Sequence, residues 1–295
     1  MAARATTRLR QLLDSDTILM APGAYDGLTA ALAVKAGFQA LYMTGAGVSY
    51  TTLGKPDIGL LTQTEMAARV AYMVQAADGV PVIADGDTGY GNALNVIRTI
   101  AEFERAGAAA IQLEDQTFPK RCGHMSGKEL IPAGEAAAKI AAAAEARRDP
   151  DFVIIARTDA LAVAGWAEAL HRAHLYTEAG ADVIFIEAPH SVDELAVIPP
   201  SQRLPCMANM VEGGATPLLG ADELGAMGFK LVIYPNAITR AIARTARELY
   251  AGMHTARSTQ PFLDRMLLFG ELNELLGLPA IEEQERRYAA RERSS

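Results

Sequence analysis

Residues 82–114 read VIADGDTGYGNALNVIRTIAEFERAGAAAIQLE, and this stretch contains one complete repeat of the predicted fold. Short apolar runs at its two ends predict strands, and the longer run at 92–106 between them predicts a helix. Gly107 follows that helix at the position where glycine adopts the left-handed conformation at low steric cost. The stretch therefore predicts a strand–helix–strand unit.

The same unit recurs along the chain. Eight apolar runs predict strands: Ile18–Ala21, Ala40–Thr44, Val82–Asp85, Ala109–Glu114, Val153–Arg157, Val183–Glu187, Pro205–Asn209 and Leu231–Tyr234. The runs are continuously apolar, as in parallel strands that are covered on both faces. Eight strands, each followed by a helix, predict an α/β fold of the (β/α)₈ TIM-barrel type. A doubly wound open sheet is the alternative, but no Gly-x-Gly-x-x-Gly motif follows the first strand candidate.

The chain shows no boundary between domains. We therefore expect one barrel domain over residues 1–295, with a last long helix at 238–253. Residues 254–295 follow a different, helical pattern with a charged tail. We expect this extension to pack on a neighbouring subunit.

Composition narrows the class of protein. The chain has 295 residues, half of them hydrophobic, and a formal net charge of -8 with scattered Lys and Arg, so nucleic acid is not an expected partner. No apolar run approaches the roughly 20 residues of a membrane span, and the first residues lack the apolar segment of a secretory signal. With only two cysteines, a disulfide framework is not expected and the cytoplasm is the expected compartment.

Polar residues recur where the predicted strands end, which is where TIM barrels carry their active sites. The main ones are Asp85, Asp87, Glu114, Arg157, Glu187 and Asn209. Helix N-caps are the alternative explanation for some rim residues, but Glu and Arg are poor N-caps. The pattern predicts a functional rim.

Asp85 and Asp87 are two residues apart, so on a strand both would lie on the same side. With Glu114 they would form a cluster of three carboxylates, which needs a cation or partial protonation. Oxygen ligands of this kind suit Mg²⁺, whereas no His or Cys spacing typical of Zn²⁺ accompanies them.

Two further segments of the rim are open to more than one interpretation. Gly45-Ala46-Gly47 follows the second strand, and its N–H groups suit a substrate carboxylate, although an ordinary tight loop is the alternative. Arg157 suits a second carboxylate, or else an internal ion pair with Glu187 or Asp159.

Cys122 lies in a polar loop between Lys120-Arg121 and Gly123-His124. These cationic neighbours favour the thiolate, and the flanking glycines and proline are typical of a moving lid. A lone cysteine is otherwise a small buried hydrophobe, and this is our interpretation of Cys206, which lies in an apolar strand.

Motifs along nearly the whole chain resemble the isocitrate lyase/phosphoenolpyruvate mutase superfamily. They are Tyr42-Met-Thr-Gly45, Gly54-Lys-Pro-Asp-Ile-Gly59, Asp85-Gly-Asp-Thr-Gly-Tyr-Gly91, Leu113-Glu-Asp-Gln116, Lys120-Arg-Cys-Gly-His124, Ile155-Ala-Arg-Thr-Asp159, Phe185-Ile-Glu-Ala188 and Asn209-Met-Val-Glu-Gly-Gly-Ala-Thr-Pro217. The resemblance implies a TIM barrel whose last helix is swapped between subunits of a homotetramer. It also implies a catalytic Mg²⁺, with Mn²⁺ as a substitute, and a small carboxylate as substrate.

The resemblance also implies roles for individual residues. Asp85, Asp87 and Glu114 would hold the metal, supported by Asp57. Residues expected to contact substrate are Thr44, Gly45, Ala46, Gly123, Glu187 and Asn209. Residues expected to act in catalysis are Tyr42, Lys120, Cys122, His124 and Arg157. Among these, Cys122 would protonate carbon and Tyr42 would help to handle the hydroxyl proton.

The implied reaction is a retro-aldol (Claisen-type) cleavage of a 2-hydroxy di- or tricarboxylate to a 2-oxo acid, such as pyruvate, and a carboxylate. Cys122 favours a lyase, because phosphoenolpyruvate mutases usually carry Asn there. Carboxyphosphonoenolpyruvate mutases keep the Lys-Arg-Cys-Gly-His motif, so phosphonate formation or C–P cleavage is an alternative, as is oxaloacetate C–C hydrolysis. Met125-Ser-Gly-Lys128 is closer to 2,3-dimethylmalate lyases than to methylisocitrate lyases, so an alkylmalate is the first expectation and 2-methylisocitrate the second.

Overall fold

A computed structural model describes residues 3–123, 125 and 127–292. His124, for which the sequence predicts a catalytic role, lies outside the described residues. The chain divides into two compact units, residues 1–239 and 240–295.

The described residues of the first unit form eight parallel strands in the order β6-β5-β4-β3-β2-β1-β8-β7. Their bounds are β1 Leu19–Ala24, β2 Leu41–Met43, β3 Val82–Asp85, β4 Ala110–Glu114, β5 Val153–Thr158, β6 Val183–Ile186, β7 Met207–Asn209 and β8 Leu231–Tyr234. A parallel bridge between Ile184 and Cys206 joins the two ends of this order. The sheet is therefore a nearly closed barrel, and the predicted TIM-barrel fold is confirmed.

Helix α1 precedes the first strand, and the other helices follow strands along the chain. In the first unit they are α1 Ala5–Leu13, α2 Gly27–Lys35, α3 Gly45–Leu53, α4 Gln63–Ala76, α5 Ala93–Ala106, α6 Ala133–Ala146, α7 Ala160–Ala164, α8 Trp166–Glu178, α9 Val192–Val197 and α10 Ala221–Ala226. Helix α11, Ala237–Ala256, begins in this unit and continues into the second. None of the described helices is long and apolar enough to span a membrane.

The second unit is helical. It contains most of α11, a 3₁₀ turn at Gln260–Arg265, α12 at Phe269–Leu275 and α13 at Leu278–Glu292. Within it, Arg265 Nη2 lies 3.1 Å from Glu248 Oε2. That residues 254–295 pack on a neighbouring subunit, and that a helix is swapped, stay predictions.

The barrel has two apolar cores because successive strand residues point to opposite faces. Ile83 belongs to the inner core, whereas its neighbours Val82 and Ala84 pack outward against helices. Helix α1 contributes Leu9 and Leu13 to the inner core. The helix therefore plugs the barrel at the end opposite the predicted rim.

Candidate active site

A solvent-open cavity lies where the barrel strands end. Most of the predicted site residues line it: Tyr42, Thr44, Ala46, Asp57, Asp85, Lys120, Cys122, Gly123, Arg157, Glu187 and Asn209. Residues from the ends of five strands, β2, β3, β5, β6 and β7, thus converge on one place, as the barrel geometry requires. Gly45, Asp87 and Glu114 do not line the cavity but contact residues that do.

Asp85 is fixed by hydrogen bonds from the backbone. Its Oδ2 accepts from the Gly45 N–H at 3.2 Å, and its Oδ1 accepts from the Asp87 N–H at 3.1 Å. Gly45 is the first residue of α3, for which Thr44 is the N-cap, so the segment is a helix N-terminus rather than a tight loop. A Cβ at Gly45 would lie 2.7 Å from Asp85 Oδ2, which explains why glycine occupies this position.

Lys120 joins two carboxylates at the mouth of the cavity. Its Nζ lies 2.6 Å from Asp57 Oδ1 and 2.8 Å from Asp87 Oδ1, and its side chain is only 3% exposed. Burial raises the pKa of Asp87 to about 7 despite this partner. The sequence did not predict this three-residue contact, since Asp57, Asp87 and Lys120 come from separate loops.

Arg157 lies between two carboxylates. Its Nη1 is 3.3 Å from Glu114 Oε2, while its Nε and Nη2 donate to Asp159 at 2.9 and 3.1 Å. The internal ion pair with Asp159, one of the two interpretations of Arg157, is therefore present. Arg157 also lines the cavity, so it can in addition face a substrate.

Asp115 holds the end of β5 in place. Its carboxylate accepts hydrogen bonds from Thr158 Oγ1 and Tyr176 Oη, both at 2.7 Å, and from the Asp159 N–H at 3.0 Å. This buried network fixes the strand end that carries Arg157. Sequence analysis did not assign Asp115 a role.

The carboxylates fit a divalent cation by their chemistry. Asp87 Oδ1 and Glu114 Oε1 are buried, and neither makes a hydrogen bond with a described residue, although Lys120 Nζ is close to the former. Burial also raises the pKa of Glu114 well above its usual range. A hard cation would stabilise these oxygens in their charged form.

The trio Asp85, Asp87 and Glu114 as metal ligands stays a prediction. Among the described residues, no three His, Cys, Asp or Glu side chains are grouped at metal-binding distance. Two of the three carboxylates have a cationic partner, since Glu114 pairs with Arg157 and Asp87 with Lys120. Asp85 is the member of the trio that lines the cavity.

The Cys122 loop rests on the barrel. Lys128 Nζ donates to the Gly123 carbonyl at 2.6 Å and lies 2.7 Å from Asp159 Oδ1, so it ties the loop to the end of β5. A Cβ at Gly123 would collide with Arg157 Nη2 and Glu187 Oε1. The half-buried Cys122 thus borders the cavity, whereas Cys206 is buried and its burial raises the pKa of the thiol to about 12.

Four lining residues were missed by sequence analysis: Val211, Ile233, Pro235 and Asn236. Asn236 is buried and its Oδ1 lies 3.3 Å from the Thr44 hydroxyl. The sequence could have indicated Asn236, because this polar residue follows the eighth predicted strand by two residues. The three apolar residues could not be assigned to the site from the sequence, since apolar side chains of this kind also fill the core.

A parallel barrel with buried carboxylates, paired cations and a thiol at the ends of its strands has the arrangement of an enzyme active site. Residues 9–254 match the model of the phosphoenolpyruvate phosphomutase family, and the chain belongs to this family.

Three relatives cover nearly the whole chain. The 2,3-dimethylmalate lyase of Eubacterium barkeri is 49% identical over 96% of this chain and 97% of its own. The carboxyvinyl-carboxyphosphonate phosphorylmutase of Arabidopsis thaliana is 45% identical over 97% and 86%. The 2-methylisocitrate lyase of Bacillus subtilis is 43% identical over 91% and 88%.

Solved structures of related enzymes are also similar to this chain over nearly its whole length. Oxaloacetate acetylhydrolase in complex with 3,3-difluorooxalacetate has a TM-score of 0.92 and 35% identity, covering 97% of each chain. Phosphonopyruvate hydrolase in complex with oxalate and Mg²⁺ has a TM-score of 0.88 and 34% identity, covering 97% of this chain and all of its own.

Proposed function

We propose that this carbon–carbon lyase cleaves a 2-alkyl- or 2,3-dialkylmalate to a 2-oxo acid such as pyruvate and a carboxylate. The observation that carries the proposal is the Cys122 thiol at a cavity that carboxylates and paired cations also line. Similarity to 2,3-dimethylmalate lyase and 2-methylisocitrate lyase supports it.

The cavity walls favour an alkyl substituent. Ala46, Val211, Ile233 and Pro235 give it an apolar side. One lysine and one arginine are among the described residues that line the cavity, Lys120 and Arg157. Each of them is already paired with two carboxylates. A third substrate carboxylate would therefore lack a dedicated partner here, which places 2-methylisocitrate second.

We propose Mg²⁺ as the metal, with Mn²⁺ as a substitute, held by Asp85 with Asp87 and Glu114 nearby and Asp57 in support. When bound, such a cation polarises the 2-hydroxy carboxylate and stabilises negative charge on its oxygens. The complex of phosphonopyruvate hydrolase with Mg²⁺ supports this choice. We further propose a homotetramer in the cytoplasm, with no nucleic-acid or membrane partner.

The residues of the chain supply the remaining steps. The C2 hydroxyl, beside Tyr42, gives its proton to a carboxylate of the cavity wall, and that proton restores the Cys122 thiol at the end of the cycle. The C2–C3 bond breaks so that its electron pair moves onto C3 and its carboxylate. The carbonyl forms at C2, giving the 2-oxo acid. Arg157 faces the developing charge, and Cys122 delivers its thiol proton to C3, which completes the second product.

The test is a screen of 2-hydroxy diacids with Mg²⁺, in which release of 2-oxo acid is followed by a coupled assay. We expect turnover of alkylmalates, its loss in EDTA and its recovery with Mg²⁺. Cys122→Ala should lower the rate by about 10²–10⁴, the usual contribution of a positioned acid. Cys206→Ala is the matched control, because that thiol lies away from the cavity. Full activity in folded Cys122→Ala would refute the proposal.

A phosphonate reaction is the second candidate, favoured by the similarity to the Arabidopsis phosphorylmutase. Phosphorus NMR of the protein mixed with phosphonopyruvate separates the two. A new phosphate or phosphate-ester signal, without turnover of any malate, would favour the second candidate.

A further inference from the structure

Gln112 is a polar residue at the centre of the barrel that the mechanism above does not use. It lies on β4, pairs in register with Asp85 of β3, and is fully buried. Its side chain connects two residues of the cavity wall. Gln112 Oε1 lies 2.9 Å from Tyr42 Oη, and Gln112 Nε2 lies 3.4 Å from Asp85 Oδ1.

The neighbours of the amide determine which way round it sits. Asp85 accepts from two backbone N–H groups, one on each oxygen, so it is an acceptor-only carboxylate. The Gln112 atom that faces it must therefore be the NH₂ group, since a carbonyl there would repel the carboxylate. The Gln112 carbonyl consequently faces Tyr42.

This orientation determines the direction of the phenol proton. A carbonyl only accepts, so Tyr42 must donate its one proton to Gln112. That is the one hydrogen bond Tyr42 Oη makes among the described residues. The phenol oxygen then presents its lone pairs, and not a proton, to the cavity that Tyr42 lines.

We infer that Gln112 is a positioning residue: by accepting the hydrogen bond that Tyr42 donates, it leaves Tyr42 Oη as a hydrogen-bond acceptor for the C2 hydroxyl of a bound 2-hydroxy acid. The inference rests on the proposed function for the identity of that ligand. It adds selectivity, since the site is built to receive a hydroxyl at C2 and offers no donor from Tyr42 to a carbonyl there.

Binding of lactate and pyruvate tests the inference. The two probes have the same size and charge, but lactate carries a C2 hydroxyl and pyruvate a C2 carbonyl. Dissociation constants are measured calorimetrically with Mg²⁺ for the wild type, Tyr42→Phe, Gln112→Met and the double variant. Because no turnover is needed, a failure of the lyase proposal leaves this measurement intact.

We expect Tyr42→Phe to raise the dissociation constant of lactate by about fivefold, the equivalent of one ordinary hydrogen bond. The dissociation constant of pyruvate should change by less than about twofold. Gln112→Met frees the phenol proton to turn toward the cavity, so the preference should move toward pyruvate by about threefold to fivefold. In the Tyr42→Phe background, Gln112→Met should have no further effect on the lactate-to-pyruvate ratio.

Three results would overturn the inference. One is a loss of pyruvate affinity in Tyr42→Phe that equals or exceeds the loss for lactate, since Tyr42 would then be a donor. Another is a Gln112→Met effect that persists without the Tyr42 hydroxyl. The third is binding of neither probe to the wild type. If Gln112→Met does not fold, the Tyr42→Phe comparison alone decides the direction of the hydrogen bond.

Discussion

Replacing Lys128 with methionine removes an ammonium group that is bonded to both the Cys122 loop and the barrel. Its Nζ lies 2.6 Å from the Gly123 carbonyl and 2.7 Å from Asp159 Oδ1, and the two ionic side chains are 3% and 0% exposed. Removing one partner of a buried ion pair costs about 3–5 kcal/mol, because the other charge is left uncompensated.

Asp159 keeps the two hydrogen bonds from Arg157, so its charge is partly compensated in the variant. We therefore expect the lower end of that range, a loss of about 3 kcal/mol in the free energy of unfolding. Urea denaturation measures this loss. Detachment of the loop should also increase the alkylation rate of Cys122 under native conditions.

Lys139→Met is the matched control. Lys139 is also buried, at 5% exposed, but it makes no hydrogen bond or ion pair with any described residue. Burial lowers the pKa of Lys139, although the nearby carboxylates of Glu135, Glu114 and Asp115 act in the opposite direction. We expect this variant to lie within about 1 kcal/mol of the wild type or to be more stable. Equal losses in the two lysine variants, or an unchanged Cys122 alkylation rate in Lys128→Met, would refute the reasoning.

Three further predictions concern the thiols, acid stability and Gly123. Iodoacetamide should label Cys122 in the native protein and Cys206 only after unfolding, because burial raises the pKa of Cys206 to about 12; equal labelling rates would contradict this. Burial would raise the pKa of Asp159, but Arg157 and Lys128 outweigh it and lower the pKa to about 2. The charged Asp159 thus contributes on the order of 2 kcal/mol to the free energy of unfolding above about pH 4, and this contribution is lost as the pH falls toward 2. Asp159→Asn should therefore flatten the dependence of the unfolding free energy on pH between about pH 4 and 2. Gly123→Ala should raise KM and expose Cys122 because its Cβ would meet Arg157 and Glu187, whereas Gly134→Ala, where a Cβ meets nothing within 4 Å, should leave activity unchanged.

The periodicity of apolar residues in the sequence was sufficient to predict the barrel. All eight predicted strands are present within a few residues of their expected bounds, because continuous apolar runs between helical patterns require strands that are covered on both faces. Helices α1, α3 and α7 were missed. The α3 segment begins with Gly45-Ala46-Gly47, which is typical of a loop, and it is helical because Thr44 caps it and Asp85 accepts its first N–H.

The sequence by itself determined most of the chemical groups that the site contains, because strand ends of a parallel barrel must meet at one rim. Asp85, Arg157 and Cys122 could be placed there without coordinates. Only the tertiary structure decided how these groups pair. The contacts of Lys120 with Asp57 and Asp87, and of Lys128 with Asp159, join residues from separate loops, and no local pattern encodes such contacts.

The tertiary structure also decided the direction in which the Tyr42 hydroxyl donates its hydrogen bond. It follows from the distances of one buried amide to two strands, 2.9 Å to Tyr42 and 3.4 Å to Asp85. The sequence shows Gln112 as one more residue of a strand. Its effect arises because a buried amide must match donor to acceptor on both sides, and only the folded barrel sets those neighbours.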